Sequence, residues 1–250
     1  MSAAWTPFGA AVAIVLSGSL FAGGALAGAA PQGRQSPTGP MDAPQPTASP
    51  IERLSPGQFR IGNIRIDTGK REITVNGVVN EARTLEFIAG TKNGFKNYES
   101  ALELDTNAVN FNLALILLGL DPAHAVVPKI HLDPAPPKGD AVDVFVEWDE
   151  NGKRRTIRGE ELVYNEETKK TLPPGPWVYT GSAFVARANR YLADVDGTLI
   201  GFVHSPSTII ENPAPLVGSY GANQINPALN LKPGTPVRLI VRALGPAPSK

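Results

Sequence analysis

Apolar and polar residues alternate along much of the chain, and one stretch departs from that habit. Val142, Val144, Val146 and Trp148 alternate with Asp143, Phe145, Glu147 and Asp149, the period of a half-buried strand. Asn151-Gly152 follows, a pair suited to a two-residue hairpin because both residues tolerate positive φ. That turn sets Val146 opposite Ile157 and Asp149 opposite Arg154, with apolar groups on one face and charges offset on the other. Ile64 and Ile66, then Ile73 and Val75, predict an earlier hairpin about Thr68-Gly69-Lys70. Leu85, Phe87 and Ala89 predict a strand that turns at Asn93-Gly94 into a second strand ending at Leu104. Further on, Trp177–Ala186 reads as a strand broken at Thr180-Gly181-Ser182, and Tyr191–Val203 as a hairpin about Asp196-Gly197. Val237, Leu239 and Val241 mark a last strand.

The exception is Val109–Leu118, which is apolar nearly all round. Asp105, Thr106 and Asn107 can cap a helix there, because their side-chain oxygens accept from the free N–H groups of a first turn. Gly119 suits the left-handed position after it. A helix with no polar face is expected to be buried, and this one falls short of the roughly 20 residues that cross a bilayer. Glu160–Val163 adds one helical turn. These elements predict an α+β fold, a mainly antiparallel sheet packed on one buried central helix.

The ends of the chain differ from its middle. Residues 1–30 are apolar and rich in small residues, with Ala25-Leu26-Ala27 as a cleavage site, and read as a signal peptide or an N-terminal anchor. Residues 31–56 are rich in Pro, Gln, Ser, Thr and Ala and read as a disordered linker. Residues 57–245 then form a single domain. The expected location is periplasmic or otherwise extracytoplasmic, with membrane contact only through the N-terminal segment if it stays uncleaved.

Composition narrows the chemistry. The 250 residues carry 23 basic and 23 acidic side chains, so the basic footprint of a nucleic-acid binder is missing. There are no cysteines, which excludes disulfides, thiolate nucleophiles and thiolate-held metal clusters. Asp194-Val195-Asp196-Gly197-Thr198-Leu199 resembles the first motif of haloacid-dehalogenase-like phosphatases, in which the first Asp is the nucleophile and the second a general acid/base. Here Asp-Gly between apolar runs reads as a hairpin turn, and no paired carboxylates follow. His124, His131 and Asp133 share one loop and, with His204, are candidate ligands for Zn²⁺, although their spacing matches no compact motif. Asp143, Glu147 and Asp149 read as charges on a solvated sheet face, Ser182 as a bulge residue, and Trp148, Trp177 and Tyr179 as core.

Three blocks in order carry a family resemblance. Tyr98-Glu99-Ser100 is followed by Leu113–Leu120 and Asp121-Pro122. Val144–Trp148 is followed by Asn151-Gly152-Lys153 and Glu160–Val163. Trp177–Ser182 is followed by Tyr191–Ile200 and Ser205-Pro206. Together they resemble the YdjY-like domain family of bacterial envelope proteins, over about Gln58 to Ala243. The resemblance implies an exported domain and no particular reaction. Some members are labelled ferredoxin-type, a label that cannot pass to a chain without cysteine.

The expected function is a non-enzymatic binding or accessory module with no cofactor and no nucleic acid, whose partner is another envelope protein. The alternative is a metal-dependent hydrolase using the His124–Asp133 loop and the Asp194/Asp196 hairpin.

Overall fold

Closure of the sheet on itself is the central feature of the computed structural model, which describes residues 45–215 and 218–245. Strands β1 (Ile51–Ser55), β2 (Gln58–Ile61), β3 (Ile64–Asp67) and β4 (Glu72–Val79) form an antiparallel meander. β5 (Phe87–Thr91) and β6 (Ser100–Leu104) precede helix α1 (Ala108–Leu117). β7 (Asp140–Glu150) and β8 (Lys153–Arg158) form a hairpin, followed by the single turn α2 (Gly159–Leu162). β9 (Val163–Asn165), β10 (Lys170–Thr171), β11 (Trp177–Tyr179), β12 (Phe184–Val185) and β13 (Arg190–Tyr191) are short. Then come α3 (Leu192–Asp196), β14 (Thr198–Gly201), β15 (Ile210–Glu211), β16 (Asn223–Ile225) and β17 (Pro236–Ala243).

Eight of these strands run in the order β4-β17-β7-β11-β15-β14-β5-β6, and β6 pairs back onto β4 to close a barrel. The wall between β4, β7 and β17 shows why. Val142, Val144, Val146 and Trp148 pair with Ala243, Val241, Leu239 and Val237, and all eight are buried. The alternate row is mainly charged around the Phe145–Ile240 pair: Arg238 meets Glu147 at 3.1 Å, Arg242 meets Glu72 at 2.5 Å and Arg158 meets Asp143 at 2.7 Å. One face of each strand is apolar, and a closed sheet buries all those faces without leaving edges in the ring.

This architecture overturns the expected α+β fold, a sheet packed on one buried helix. The molecule is mostly β, and its core is not centred on α1. The helix is placed and capped as its sequence predicts, with Asn107 accepting from the Asn110 N–H and Gly119 at φ 89°. It lies against β3, β14 and α3. Phe111, Ala114 and Leu115 are buried, whereas Ile116 is 40% and Leu117 36% exposed. Uniform apolarity therefore marked a helix seated on the barrel, not one enclosed by strands.

Two connections also differ from expectation. Asn93-Gly94 does not join a hairpin: β5 and β6 are parallel, and residues 92–99 carry the chain back along them. Asp196-Gly197 is no hairpin turn either. Leu192–Asp196 is helical, and Gly197 at φ 72° caps it before β14. Elsewhere the patterning holds. Val146 lies opposite Ile157 and Asp149 opposite Arg154, β3 and β4 pair through Ile66 and Ile73, and the break at 180–182 separates β11 from β12. Residues 1–44, which include the expected export segment, lie outside the described residues. The last part of the expected linker is β1, paired to β2.

Candidate functional site

Long-range strand pairing brings together a set of acidic side chains that are far apart in sequence. Phe87 of β5 pairs with Ser100 of β6, so Glu86 and Glu99, each one residue earlier, stand side by side. The Glu86 N–H donates to the Glu99 carbonyl at 3.0 Å. On the other flank Phe87 pairs with Gly201 of β14, and Gly201 with Glu211 of β15. One end of four adjacent strands thus carries Glu86, Glu99 and Glu211, each no more than 5% exposed.

Buried carboxylates need partners, and two cations supply part of that need. Lys96 places Nζ 3.4 Å from Glu99 Oε2 and 5.8 Å above the Phe87 ring. Burial opposes its charge, but Glu99, with Tyr98 and Glu86, outweighs burial and raises its pKa. His131 places Nε2 3.3 Å from Glu86 Oε2 in an ion pair without hydrogen-bond geometry, and the closeness of Glu86 raises the histidine pKa. The Tyr220 hydroxyl donates to Glu99 Oε1 at 2.9 Å.

Glu211 is held differently. Its Oε1 accepts from the Ser205 N–H at 2.8 Å and from the Thr208 hydroxyl, while Oε2 is buried with no hydrogen-bond partner. Burial pushes the carboxyl up to about 7 against those donors and against the opposing pull of His131. Gly201 makes room for it. A Cβ there would sit 2.7 Å from Thr208 Cγ2 and 3.5 Å from Glu211 Oε2.

Beside this cluster lies a cavity of about 150 Å³ lined by Leu85, Glu86, Leu132, Val203, Asn223 and residues 218–221. Leu132 is held at φ 60°, a conformation rare for a branched side chain. The carboxylate of the next residue holds the loop in place: Asp133 accepts from the Lys129 N–H at 2.8 Å and the Ala135 N–H at 2.9 Å, which lower its pKa.

The candidate metal ligands read from the sequence are dispersed into separate roles. His124 places Nδ1 2.7 Å from Asp140 Oδ1, and that bond raises its pKa. His131 belongs to the acidic cluster. His204 is buried with Nδ1 2.9 Å from the Asp133 carbonyl and Nε2 3.0 Å from the Asn212 carbonyl, so both ring nitrogens are taken. Asp133 meets His204 through its backbone, while its carboxylate serves its own loop. Among the described residues no group of three or more histidines and carboxylates is arranged to hold a metal ion.

The remaining candidates are also accounted for. Asp194 reaches from α3 to the start of α1, where its Oδ1 accepts from the Ala108 N–H at 2.9 Å. Burial pushes its carboxyl up to about 6 against the backbone donors of Ala108 and Val109. We expect Asp194→Asn to change stability by less than about 1 kcal/mol, because the accepting oxygen is kept, whereas Asp194→Ala costs about 1–2 kcal/mol by stranding a helix N–H. Thermal melts of the two variants distinguish them; equal losses would remove the capping role. Ser182 donates to the Pro206 carbonyl at 3.1 Å, and Trp177 and Tyr179 are fully buried. No hydrogen bond or ion pair joins the His124–Asp133 loop to Asp194 or Asp196 among the described residues.

Sequence reasoning missed Glu86, Glu99 and Glu211 as a set. The available signal was a single carboxylate inside an apolar run: Leu85-Glu86-Phe87 and Ile209-Ile210-Glu211.

The fold and this site define a class: a β-barrel domain with an acidic, partly enclosed recess at one end of four strands. The family model of the YdjY domain matches residues 64–242, and the chain belongs to that family. No curated protein and no solved structure matches the sequence.

Proposed function

We propose that the chain is a non-catalytic binding module that works outside the cytoplasm and takes a group of an envelope partner into the cavity beside Glu86. The observation that carries this reading is the cavity itself. It is a small recess with apolar walls at Leu85, Leu132 and Val203, and it has a nearly buried carboxylate in its lining. Pockets of this construction bind through their walls and orient through a few polar groups. The separate structural engagement of the candidate histidines and of Asp194 also favours binding over catalysis. Extracytoplasmic placement rests on the apolar segment within residues 1–30.

Site-specific crosslinking in the native cell tests the reading. A photoreactive residue at Leu132 or Tyr220, both exposed at the cavity, is expected to give one dominant adduct. The same group at Lys153, in the β7–β8 hairpin, is expected to give none. Equal background from all three positions would overturn the assignment.

A further inference from the structure

Glu86 is the unusual member of the acidic cluster. It is 5% exposed, it lines the cavity, and its Oε2 has no hydrogen-bond partner within bonding geometry, with only the His131 ring nitrogen near at 3.3 Å. A buried carboxylate oxygen without a well-formed hydrogen bond is costly, and the cost is recovered when a well-placed donor is supplied. The ion-pair partner that is present is accessible to solvent, because His131 is 41% exposed and comes from the long connection between α1 and β7.

The walls select what kind of donor fits. Leu85, Leu132 and Val203 offer apolar contact along the recess, and about 150 Å³ holds only a handful of heavy atoms. A guanidinium is broad and planar and wants two parallel acceptors, and the second nearby carboxylate, Glu99, is occupied by Lys96 and Tyr220. An ammonium on an unbranched alkyl stem needs one strong acceptor and a narrow apolar channel.

We infer that the cavity is a receptor for a primary alkylammonium group, its stem against Leu85, Leu132 and Val203 and its nitrogen on Glu86 Oε2 in place of His131. This rests on the binding-module reading above and gives that site its ligand chemistry. The charged and titratable groups facing the position are Glu86 and His131 directly and Tyr220 in the cavity wall, with Lys96, Glu99, Tyr98 and Glu211 behind them. His131 is therefore a competitor for Glu86. Glu86 raises the pKa of His131, and loss of the histidine proton as pH rises should strengthen amine binding.

The test is calorimetric titration of the full chain with n-pentylamine and, as a neutral counterpart, n-pentanol. Pentylamine is expected to bind at least about tenfold more tightly, the size of a charge-assisted hydrogen bond. Glu86→Gln should weaken pentylamine about tenfold and leave pentanol unchanged, while Leu132→Ala should weaken both. His131→Gln should tighten pentylamine, a gain that a misfolded variant cannot produce. Equal binding of the amine and the alcohol, or an unchanged affinity in Glu86→Gln, would overturn the inference. Two further probes separate the sources of the group. Tighter binding of Nα-acetyl-lysine amide than of pentylamine, abolished by Nε-acetylation, identifies a lysine side chain of a protein partner. Tighter binding of pentylamine identifies a free amine. If no amine binds but the Leu132 crosslink persists, the ligand chemistry fails and the binding module stands; if both are lost, the two readings fail together.

Discussion

Replacing Gly77 by valine is expected to stop the barrel from closing. Gly77 pairs on one side with Val237 of β17 and on the other with Leu104 of β6, at the seam where the sheet meets itself. A Cβ there would collide with the Glu103 carbonyl and lie 2.8 Å from Leu104 Cδ2. The clash with the backbone oxygen can be relieved only by moving a strand. Overpacking of this kind costs about 1–3 kcal/mol, and often more where backbone must shift. Gly77→Ala should therefore lose about 3 kcal/mol, and Gly77→Val a large share of the roughly 5–15 kcal/mol that holds a domain folded. Guanidinium unfolding followed by circular dichroism measures both. Gly152→Ala is the control, because nothing lies within 4 Å of its Cβ and only its φ of 77° resists substitution, at a cost of about 1 kcal/mol. A Gly77→Val protein with the wild-type midpoint would show that the seam is not sterically closed.

Glu211 should make the molecule lose stability as the pH rises through neutrality. Its folded carboxyl titrates near 7 and an ordinary glutamate near 4.5, the burial of the charge being the main cause. Between those values the folded chain keeps a proton that the unfolded chain has released. Stability therefore falls as pH climbs through that window, by about 3 kcal/mol in total from this group. Glu211→Gln carries no such proton. The stability of the wild type minus that of Glu211→Gln is expected to fall by about 3 kcal/mol between pH 5 and pH 8. Chemical unfolding of both proteins at the two pH values gives the difference directly, and no change in it would mean that Glu211 titrates normally. His131 reinforces the trend. Its pKa is raised by Glu86, so the stabilisation it contributes is present at low pH and lost as pH rises through its folded value.

How much of this was legible beforehand depended on sequence distance. The β7–β8 hairpin was readable residue by residue, because eleven alternating positions and an Asn-Gly turn fix its register locally. The cap at Asn107 and the stop at Gly119 were readable for the same reason. The ring was not, because closure requires β6 to meet β4 and β14 to meet β5, and short apolar strands such as Phe87–Thr91 carry no mark of their partner. Asp196-Gly197 misled because positive φ serves a helix cap as well as it serves a hairpin. The uniform apolarity of Val109–Leu118 misleads because an apolar helix need not be enclosed on every side: Ile116 and Leu117 remain partly in solvent. The acidic recess followed from long-range strand pairing, parallel at β5–β6 and β14–β15 and antiparallel at β5–β14: Glu86, Glu99 and Glu211 become neighbours only once these four strands are aligned. The candidate histidines were visible as chemistry, but what each one touches depends on loops whose partners lie on other strands.

The position of β17 in the ring has a consequence for the order in which the molecule comes into being. It is the last strand among the described residues, and it lies between β4 and β7, pairing residue 241 with residue 73 on one side and with residue 144 on the other. Until Pro236–Ala243 has emerged, β4 and β7 each present an open edge, and an open edge invites pairing with another chain. Contacts so distant along the sequence form slowly, on the order of milliseconds to seconds, because a long loop must close before they repay its entropy. A nascent chain stopped before Pro236 therefore lacks both the β4–β17 and the β17–β7 pairings, and the ring closes only once those residues are available.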